Sequence, residues 1–422
     1  MSAKVDPEEL RRELTFGPSE KWWVGNVSLM NVVRGEINLP NRVTLMEQTI
    51  REGEDTPEVY FSTEARFELL EKMEEAGIKE AEVGYVGAIQ DHFEFAKKVK
   101  ERGLGIKIGS HNRAYTREEE WRLEIDRAVD AGCEIVTLVT FMTEPICSTT
   151  HWLKKEDVPE RVAKCIEYSK AKGVYTCVIP VDAARTRLDL YTKCLQLSAE
   201  AGVDRVYVCD AFGNTPPEAF DFLVRYVRDV IGSKPQIALH CHNDLGLSMA
   251  NALAGIRAGA ECIDVTINGL GHNSGITPLE EIVCALKVLY GVDTGVDLKH
   301  IPILSKLVEK HSRLKVFPNK AIVGENVYRH QLDSHMASII RGVWYSWDII
   351  HPEVFGRKFR LEWVPGRLRI GKSGSVMAMI ESLGMTVTNK EFCEISRRLR
   401  DQVYSKGVVT EKDLEAIIKE AK

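Results

Sequence analysis

Short runs of apolar and β-branched residues recur between residues 40 and 295, and charged amphipathic stretches separate them. Eight runs predict β-strands, at residues 42–48, 80–85, 105–111, 134–141, 174–180, 205–210, 236–242 and 262–268. The stretches between them, such as STEARFELLEKMEEAG, have apolar residues at helical spacing. Eight alternating βα units predict an α/β protein with a closed (β/α)8 barrel, a TIM barrel. A doubly wound open sheet is the alternative, but no Gly-rich phosphate turn follows an early strand.

The pattern also divides the chain. Residues 1–40 form an N-terminal extension, and residues 41–295 form the predicted barrel. The strand pattern stops after residue 296, and the helical stretches that follow are interrupted by a Pro/Gly-rich segment around Pro352 to Gly374. We therefore predict a mainly helical C-terminal appendage of two small subdomains, at residues 296–350 and 351–422.

Composition and charge exclude several classes of protein. Of the 422 residues, 44% are hydrophobic and 28% are charged, which excludes disordered, collagen-like and coiled-coil chains. The net charge of −6 comes from well-mixed acidic and basic residues, so no basic stripe indicates nucleic acid. The start MSAKVDPEELRREL lacks the apolar region of a secretory signal, and no apolar run has the length of a membrane helix. Because the ten cysteines form no CxxC pair, we expect free thiols and a cytoplasmic location.

Polar residues stand where the predicted strands end, which is where barrel enzymes have their active sites. They are Arg51 and Glu52 after the first strand, Glu82 on the second, His111 and Arg113 at the third, Asp210 at the sixth, His240 and His242 on the seventh, and Asn268 at the eighth. This arrangement predicts one active site at the carboxyl end of the barrel.

His240 and His242 form the sharpest local feature. Residues i and i+2 of a strand point to the same face, so both imidazoles are predicted to project into the barrel mouth. Two such histidines and one carboxylate form a divalent-metal site with open positions for substrate, and Glu52 is the candidate carboxylate. The alternative is that both histidines are ordinary hydrogen-bonded polar groups. Asn243 and Asp244, which follow directly, are candidate hydrogen-bond partners of the ligands.

Three other residues have both a chemical and a structural interpretation. Arg51, beside Glu52, is suited to stabilising an oxyanion on a substrate carbonyl, although Arg-Glu pairs are also common in exposed turns. Glu82 is a candidate catalytic group or a residue that only holds a neighbour in place. Asn268, in the turn NGLGHNSG, is a candidate for the substrate site or a residue that caps the loop.

The segments TIREGED, HCHNDLGLSMANALAGIRAGA and NGLGHNSGITPLEE resemble those of a known superfamily. It contains the isopropylmalate synthases, the homocitrate synthases and the HMG-CoA lyases, which are metal-dependent TIM barrels, and the chain is most similar to the synthases. The resemblance implies a divalent cation (Mn, Mg or Zn). It also implies a Claisen-type reaction in which acetyl-CoA condenses with an α-keto acid, or the reverse cleavage.

The resemblance assigns the metal ligands. Arg51 matches the catalytic arginine of the family. Glu52 matches the acidic ligand, which is Glu in homocitrate synthases and Asp in isopropylmalate synthases. His240 and His242 match the two histidine ligands of these enzymes.

Two further matches concern the substrates. The segment HQLDSH matches a His-x-x-Gly-x-His motif, with His330 and His335 retained and Asp333 in place of the Gly. His335 matches a general base that the synthases supply to their partner's barrel, which implies a homodimer with exchanged C-terminal subdomains. SHNRA resembles a motif whose His binds the keto acid, so His111 and the nearby Arg113 are candidates for the substrate pocket.

Other positions depart from the family pattern. The Thr that holds the keto acid's carboxylate is Ala211 here, and the Arg and Ser of strand five in homocitrate synthases are Cys177 and Ile179. The Tyr of a Tyr-Glu-x-x-x-Pro motif is Trp347, and a Leu-Gly-Lys-His-Ser-Gly motif reads IGKSGS. These changes imply an intact metal site with an altered substrate pocket around Ala211.

The leading interpretation is a Claisen-type acyltransferase with acetyl-CoA and an α-keto acid as substrates, and with neither nucleic acid nor a membrane as partner. The second is a carbon–carbon lyase or aldolase of the HMG-CoA lyase type. The long segment after the barrel and the lack of Cys in GLGHNSGITP favour the synthases, whereas loss of the Thr at position 211 favours a lyase. The third is a non-catalytic binding protein, against which the intact metal-site residues speak.

Overall fold

The computed structural model describes residues 16–34, 37, 39–144, 146–147, 154–368 and 373–421. Contacts between residues divide the chain into two compact units. Among the described residues, the first unit spans residues 31–316, and the second contains residues 16–30 and 317–421. The finer boundaries predicted at residues 40, 295 and 350 stay predictions.

The first unit is a closed barrel of eight parallel strands, in which each strand pairs with the next and the last pairs with the first. The strands are β1 (Thr44–Glu47), β2 (Glu80–Glu82), β3 (Lys107–Arg113), β4 (Ile135–Phe141), β5 (Tyr175–Val181), β6 (Arg205–Asp210), β7 (Gln236–Cys241) and β8 (Cys262–Val265). Each strand overlaps one of the eight predicted runs. The predicted TIM barrel is therefore confirmed.

Helices alternate with the strands of the barrel. They are α1 (Thr63–Glu75), α2 (Gln90–Arg102), α3 (Glu118–Asp130), α4 (Val158–Ala171), α5 (Leu188–Glu200), α6 (Pro217–Ile231), α7 (Ser248–Arg257) and α8 (Leu279–Ala285), and α9 (Ile301–Ser312) follows the last of them. The sequence of α6 shows why these segments are helical. Its buried residues Phe220, Leu223, Val224, Val227 and Ile231 recur every three or four positions, so they form one apolar stripe.

The barrel interior is filled by residues that alternate along the strands. One buried cluster consists of Met46, Ile135, Cys177, Ile179, Tyr207, Cys209, Ala238 and Cys262. Since side chains alternate between the two faces of a strand, the positions two and four residues after Ala238 point the same way. These positions are His240 and His242, so the pattern that fills the core also aims both imidazoles into the barrel.

The second unit is mainly helical, as predicted. It contains a hairpin of Phe16–Ser19 and Trp22–Trp23, and the helices α10 (Asp333–Ile340), α11 (Gly374–Ser382), α12 (Asn389–Lys406) and α13 (Glu411–Glu420). It also holds a three-stranded sheet of β9 (Arg329–His330), β10 (Arg360–Trp363) and β11 (Val409–Thr410), which the sequence pattern did not predict. Strands of two to four residues are too short to show alternation. In the described parts of the chain, no helix is both long and apolar enough to cross a membrane.

Candidate metal centre and active site

Glu52, His240 and His242 converge at the carboxyl end of the barrel. All three are buried, and each offers a ligand atom within 4.8 Å of those of the other two. The two imidazole Nε2 atoms lie 3.2 Å apart. Among the residues that the structure describes, this is the one group of His, Cys, Asp and Glu side chains close enough to hold a metal ion. Two imidazoles and a carboxylate form a donor set that suits a divalent cation.

A carboxylate on the neighbouring strand orients the first of these histidines. Nδ1 of His240 donates to Oδ2 of Asp264 on β8, at 2.8 Å. This bond leaves the Nε2 lone pair of His240 available to a cation. Burial lowers the pKa of His240, but the bond to Asp264 and its charge outweigh this and raise it. Burial and the adjacent His240 lower the pKa of His242 to about 3, so this imidazole is neutral at pH 7.

The sequence did not indicate Asp264 as a partner of His240. The partners that it did indicate, Asn243 and Asp244, form their hydrogen bonds with other residues. Asn243 accepts hydrogen bonds from the backbone and hydroxyl of Ser248, at 3.2 and 2.9 Å, so it fixes the start of α7. Asp244 accepts a hydrogen bond from Asn273 at 3.1 Å. The expectation that these two residues support the histidines is therefore corrected. The available signal was the spacing of Cys262 and Asp264, which makes Asp264 an inward-facing residue on the strand beside His240.

Glu52 is held by an arginine and by the loop after β8. It ion-pairs with Arg51, and its Oε1 accepts the N–H of His272 at 3.1 Å. Gly271 has φ +144°, and a Cβ there would lie 3.0 Å from Oε1 of Glu52, so a side chain would crowd the carboxylate. Burial raises the pKa of Glu52, but Arg51 and the two histidines outweigh it and lower the pKa to about 2. Glu52 is therefore ionised at pH 7.

Arg51 is buried and held by three acceptors. Besides Glu52, its Nε donates to Glu82 at 2.9 Å and to the side chain of Gln48 at 3.1 Å. Within the described chain, its Nη2 has no hydrogen-bond partner. A buried guanidinium with one unpaired donor is suited to a substrate oxygen. Gln48 is a second site residue that sequence reasoning missed, because it stands one position after β1 with no distinctive motif.

Glu82 connects Arg51 to the third strand. Its Oε2 also lies 3.0 Å from Nδ1 of His111, whose ring contacts Tyr85 edge-on with centroids 5.0 Å apart. Burial raises the pKa of Glu82, but His111 and Arg51 outweigh it and lower the pKa to about 2. The ionised Glu82 thus binds two of the predicted site residues, which agrees with its interpretation as a residue that holds its neighbours.

Other residues predicted at strand ends hold loops. Arg113 forms an ion pair with Glu124 of α3, to which its Nε donates at 2.8 Å. The side chain of Asn268 donates to the carbonyl of Ser305 at 3.0 Å and accepts from its hydroxyl at 2.6 Å. Asp210 accepts the N–H groups of residues 214 and 215. For Asn268, the contacts correspond to the loop-capping alternative.

Three positions at which the sequence departs from the family pattern lie in the barrel interior. Cys177 and Ile179 of β5 belong to the buried interior cluster, and Ala211, directly after β6, packs against that cluster. Burial raises the pKa of Cys177, so its thiol stays protonated at pH 7. This wall therefore presents no charged group.

His335 lies in the second unit, on α10. Its ring stacks on Trp347 with centroids 3.8 Å apart and an interplanar angle of 19°, and the ring of His330 lies at 5.8 Å. Burial and His330 together lower the pKa of His335 below its usual value. Asp333 accepts hydrogen bonds from the hydroxyls of Ser373 and Ser375. Part of the IGKSGS segment, residues 370–372, lies outside the described residues.

A family model described as HMGL-like matches residues 42–308, a range that covers the barrel and the first part of α9. The chain belongs to the HMGL-like family. It is 35% identical over 370 residues to the homocitrate synthase AksA of Methanothermobacter thermautotrophicus, covering 86% of this chain and 90% of that protein. It is 32% identical over 393 residues to the 2-isopropylmalate synthase of Methanocaldococcus jannaschii, covering 91% of this chain and 72% of that protein.

Solved structures of HMG-CoA lyases resemble this HMGL-like chain in fold. The enzyme of Pseudomonas aeruginosa matches with a TM-score of 0.60 and 18% identity, covering 69% of this chain and 99% of that chain. The enzyme of Bacillus subtilis matches with a TM-score of 0.59 and 17% identity, covering 67% of this chain and 98% of that chain. At this identity the likeness concerns the fold alone.

Proposed function

We propose that the chain is an acyltransferase that condenses acetyl-CoA with an α-keto acid in a Claisen-type reaction dependent on a divalent cation. The observation that supports it most is the convergence of Glu52, His240 and His242 beside Arg51, a buried arginine with an unpaired Nη2. The relatives named as homocitrate and isopropylmalate synthases support the same reaction class.

Glu52, His240 and His242 fit a divalent cation as ligands. The carboxylate is ionised, His242 is neutral, and Asp264 bonds Nδ1 of His240, so that Nε2 is the nitrogen at which a cation would take the place of a proton. When bound, the cation supplies Lewis-acid polarisation of the keto acid's carbonyl. Mn²⁺, Mg²⁺ and Zn²⁺ all suit two imidazoles and one carboxylate.

Arg51 is the residue that opposes the new negative charge. As the keto carbon is attacked, its oxygen becomes an alkoxide, and a donor that is already fixed in place stabilises that charge without reorganising. Glu82 and Gln48 hold Nε of Arg51, which leaves Nη2 for the substrate oxygen. Glu82 acts in this scheme by holding both Arg51 and His111, and His111 contacts the keto acid.

His335 is the proposed general base. A neutral imidazole accepts a proton at pH 7, and the lowered pKa of His335 favours that neutral form. It removes a proton from the methyl group of acetyl-CoA, and this carbon then forms a bond to the keto carbon. Water cleaves the thioester and releases CoA. We propose a homodimer in which His335 of each copy serves the barrel of the other.

The pocket favours a keto acid whose far end is uncharged. Cys177, Ile179 and Ala211 offer no charged group, and the guanidinium of Arg113 is already paired with Glu124. A dicarboxylate placed against this wall would lose the charge-assisted hydrogen bonds that it needs.

A thiol-release assay tests this function. The protein is incubated with acetyl-CoA, Mn²⁺ and a panel of α-keto acids, and free CoA is measured with a thiol reagent. We expect thiol release that requires one particular keto acid and that stops when EDTA removes the cation or when Arg51→Gln is introduced. If CoA thioesters of β-hydroxy acids are cleaved instead, and no keto acid supports thiol release, the lyase interpretation is correct.

A further inference from the structure

Arg66 is a fully buried residue of α1 that binds Glu54 in the 3-10 turn Glu52–Asp55. Nη2 of Arg66 donates to both carboxylate oxygens of Glu54, at 3.0 and 3.1 Å, and Nε donates to Oε1 at 3.2 Å. The N–H of Phe61 donates to the same Oε1 at 2.9 Å. Glu54 is thus fixed by four hydrogen bonds, although it stands in a turn of only four residues.

The same turn is flanked by the loop that follows β2. The N–H of Tyr85 donates to Nδ1 of His92 at 3.0 Å, and Nε2 of His92 lies 3.8 Å from Oε2 of Glu54. A Cβ at Gly84 would lie 2.4 Å from Nδ1 of His92, so only glycine lets the loop approach this closely. Arg66 in turn donates to Asp91, one residue before His92, at 2.6 Å. Arg66 and His92 therefore connect the turn after β1 to the segment after β2.

We infer that the Glu54–Arg66 pair positions the metal ligand Glu52 and the arginine Arg51, an inference that rests on the proposed function. Glu52 opens the 3-10 turn and Glu54 is its third residue, so fixing the Glu54 carboxylate fixes the direction of the turn's backbone. Neither member of the pair touches the candidate metal site through its own hydrogen bonds. Both are positioning residues that act through the backbone of the turn.

The pair matters for metal binding because a metal site tolerates little displacement of its ligand atoms. A bound cation requires its donor atoms at defined distances, and loss of a group that orients a ligand weakens metal affinity by about 10- to 100-fold. Without Arg66, the Glu54 carboxylate keeps only one of its four hydrogen bonds, the one from the N–H of Phe61. The side chains of Glu52 and Arg51 would then be held less firmly in position, even before substrate binds.

A second buried ion pair offers a matched control. Arg205 binds Glu80 at 2.8 Å, and these residues begin β6 and β2, at the end of the barrel opposite the metal ligands. The exposed fractions of the side chains are 2% and 15% for Arg205 and Glu80, against 1% and 13% for Arg66 and Glu54. Glu80→Gln therefore perturbs the fold as Glu54→Gln does, at a site that bears no metal ligand.

The test measures the affinity of the full-length protein for Mn²⁺ by titration calorimetry, at a temperature well below the unfolding midpoint of each variant. We expect Glu54→Gln to weaken Mn²⁺ binding by about 10-fold or more. We expect Glu80→Gln to bind Mn²⁺ like the wild type, even though both variants have lower unfolding midpoints. Equal Mn²⁺ affinity in Glu54→Gln and the wild type would overturn the inference, and so would equal weakening by both variants.

Arg66→Lys is the second variant, in case Glu54→Gln does not fold. It keeps the positive charge but has a single nitrogen in place of the three with which the guanidinium bonds Glu54 and Asp91, so we expect a loss of Mn²⁺ affinity in the same direction. Unchanged affinity in this variant would contradict the positioning role. A wild-type protein that binds no Mn²⁺ and no other divalent cation would instead overturn the proposed function itself.

Discussion

Asp264 accepts a hydrogen bond from Nδ1 of His240 at 2.8 Å, across the junction between the last two strands of the barrel. This bond fixes the imidazole so that its Nε2 lies beside His242 and Glu52. The carboxylate thus defines which nitrogen of His240 is available as a ligand.

Asp264→Asn should weaken divalent-metal binding by about 10- to 100-fold, because the amide cannot stabilise the same tautomer as strongly. His242→Ala should abolish metal retention altogether while the fold is kept. Metal content of the purified variants, and Mn²⁺ titration, measure both effects. Asp244→Asn is the control, since Asp244 bonds Asn273 rather than a histidine, and it should retain wild-type affinity.

We predict that 2-oxoglutarate is a poor substrate, at least about 100-fold worse in kcat/KM than the preferred keto acid, as the loss of two charge-assisted bonds implies. The wall of Cys177, Ile179 and Ala211 provides no partner for a distal carboxylate, and Arg113 is already ion-paired with Glu124. Steady-state kinetics with 2-oxoglutarate and with uncharged keto acids test this. Efficient formation of homocitrate would show that the third strand alone binds the carboxylate.

Glu47 predicts a pH dependence of stability. Burial raises the pKa of Glu47 from its usual 4.5 to about 8, although hydrogen bonds from Thr49 offset part of this effect. The folded state therefore holds a proton that the unfolded state releases, so the contribution of Glu47 to stability is fully present below pH 4.5 and is lost as the pH rises toward 8. Glu47→Gln should remove this loss, by up to about 1.4 kcal/mol for each pH unit in that window.

Urea denaturation of the wild type and Glu47→Gln between pH 5 and 9 measures the difference. The variant should gain in unfolding free energy relative to the wild type as the pH rises. If the unfolding free energies of the wild type and the variant instead changed with pH in parallel, Glu47 would titrate at its ordinary pKa in the folded protein.

The proposed exchange of His335 between two copies predicts complementation. Arg51→Gln and His335→Ala should each be inactive alone. When the two are unfolded, mixed and refolded together, one site in each mixed dimer has both residues, so about a quarter of wild-type activity should return. No recovery, from variants that sediment as dimers, would mean that His335 serves its own barrel, and a fully active wild-type monomer would exclude exchange.

The fold was largely predictable from the sequence, because eight short apolar runs alternate with stretches whose apolar residues recur at helical spacing. The His-x-His motif predicted a shared direction for His240 and His242 for the same reason, and the structure brings Glu52 to them. Asp264 was not predicted because it lies inside the eighth predicted run, residues 262–268, whereas the candidate residue of that run, Asn268, stands at its end.

The second unit was less predictable. Its strands have two to four residues, which is too few for a periodic signal, and its sheet joins segments far apart in the chain. The stacking of His335 on Trp347 likewise depends on how the residues after α10 fold back on that helix. Position-by-position comparison with a family named the two residues but did not reveal their contact.

The most direct test of the central claim follows the methyl carbon of acetyl-CoA. The protein is incubated with Mn²⁺, acetyl-CoA labelled with ¹³C at the methyl group, and the keto acid that supports thiol release. Claisen condensation predicts that the label becomes the methylene carbon of a new 2-hydroxy dicarboxylic acid, seen by NMR, in equal amount to the CoA released. Thiol release accompanied only by labelled acetate would show a thioesterase and would contradict the proposed reaction.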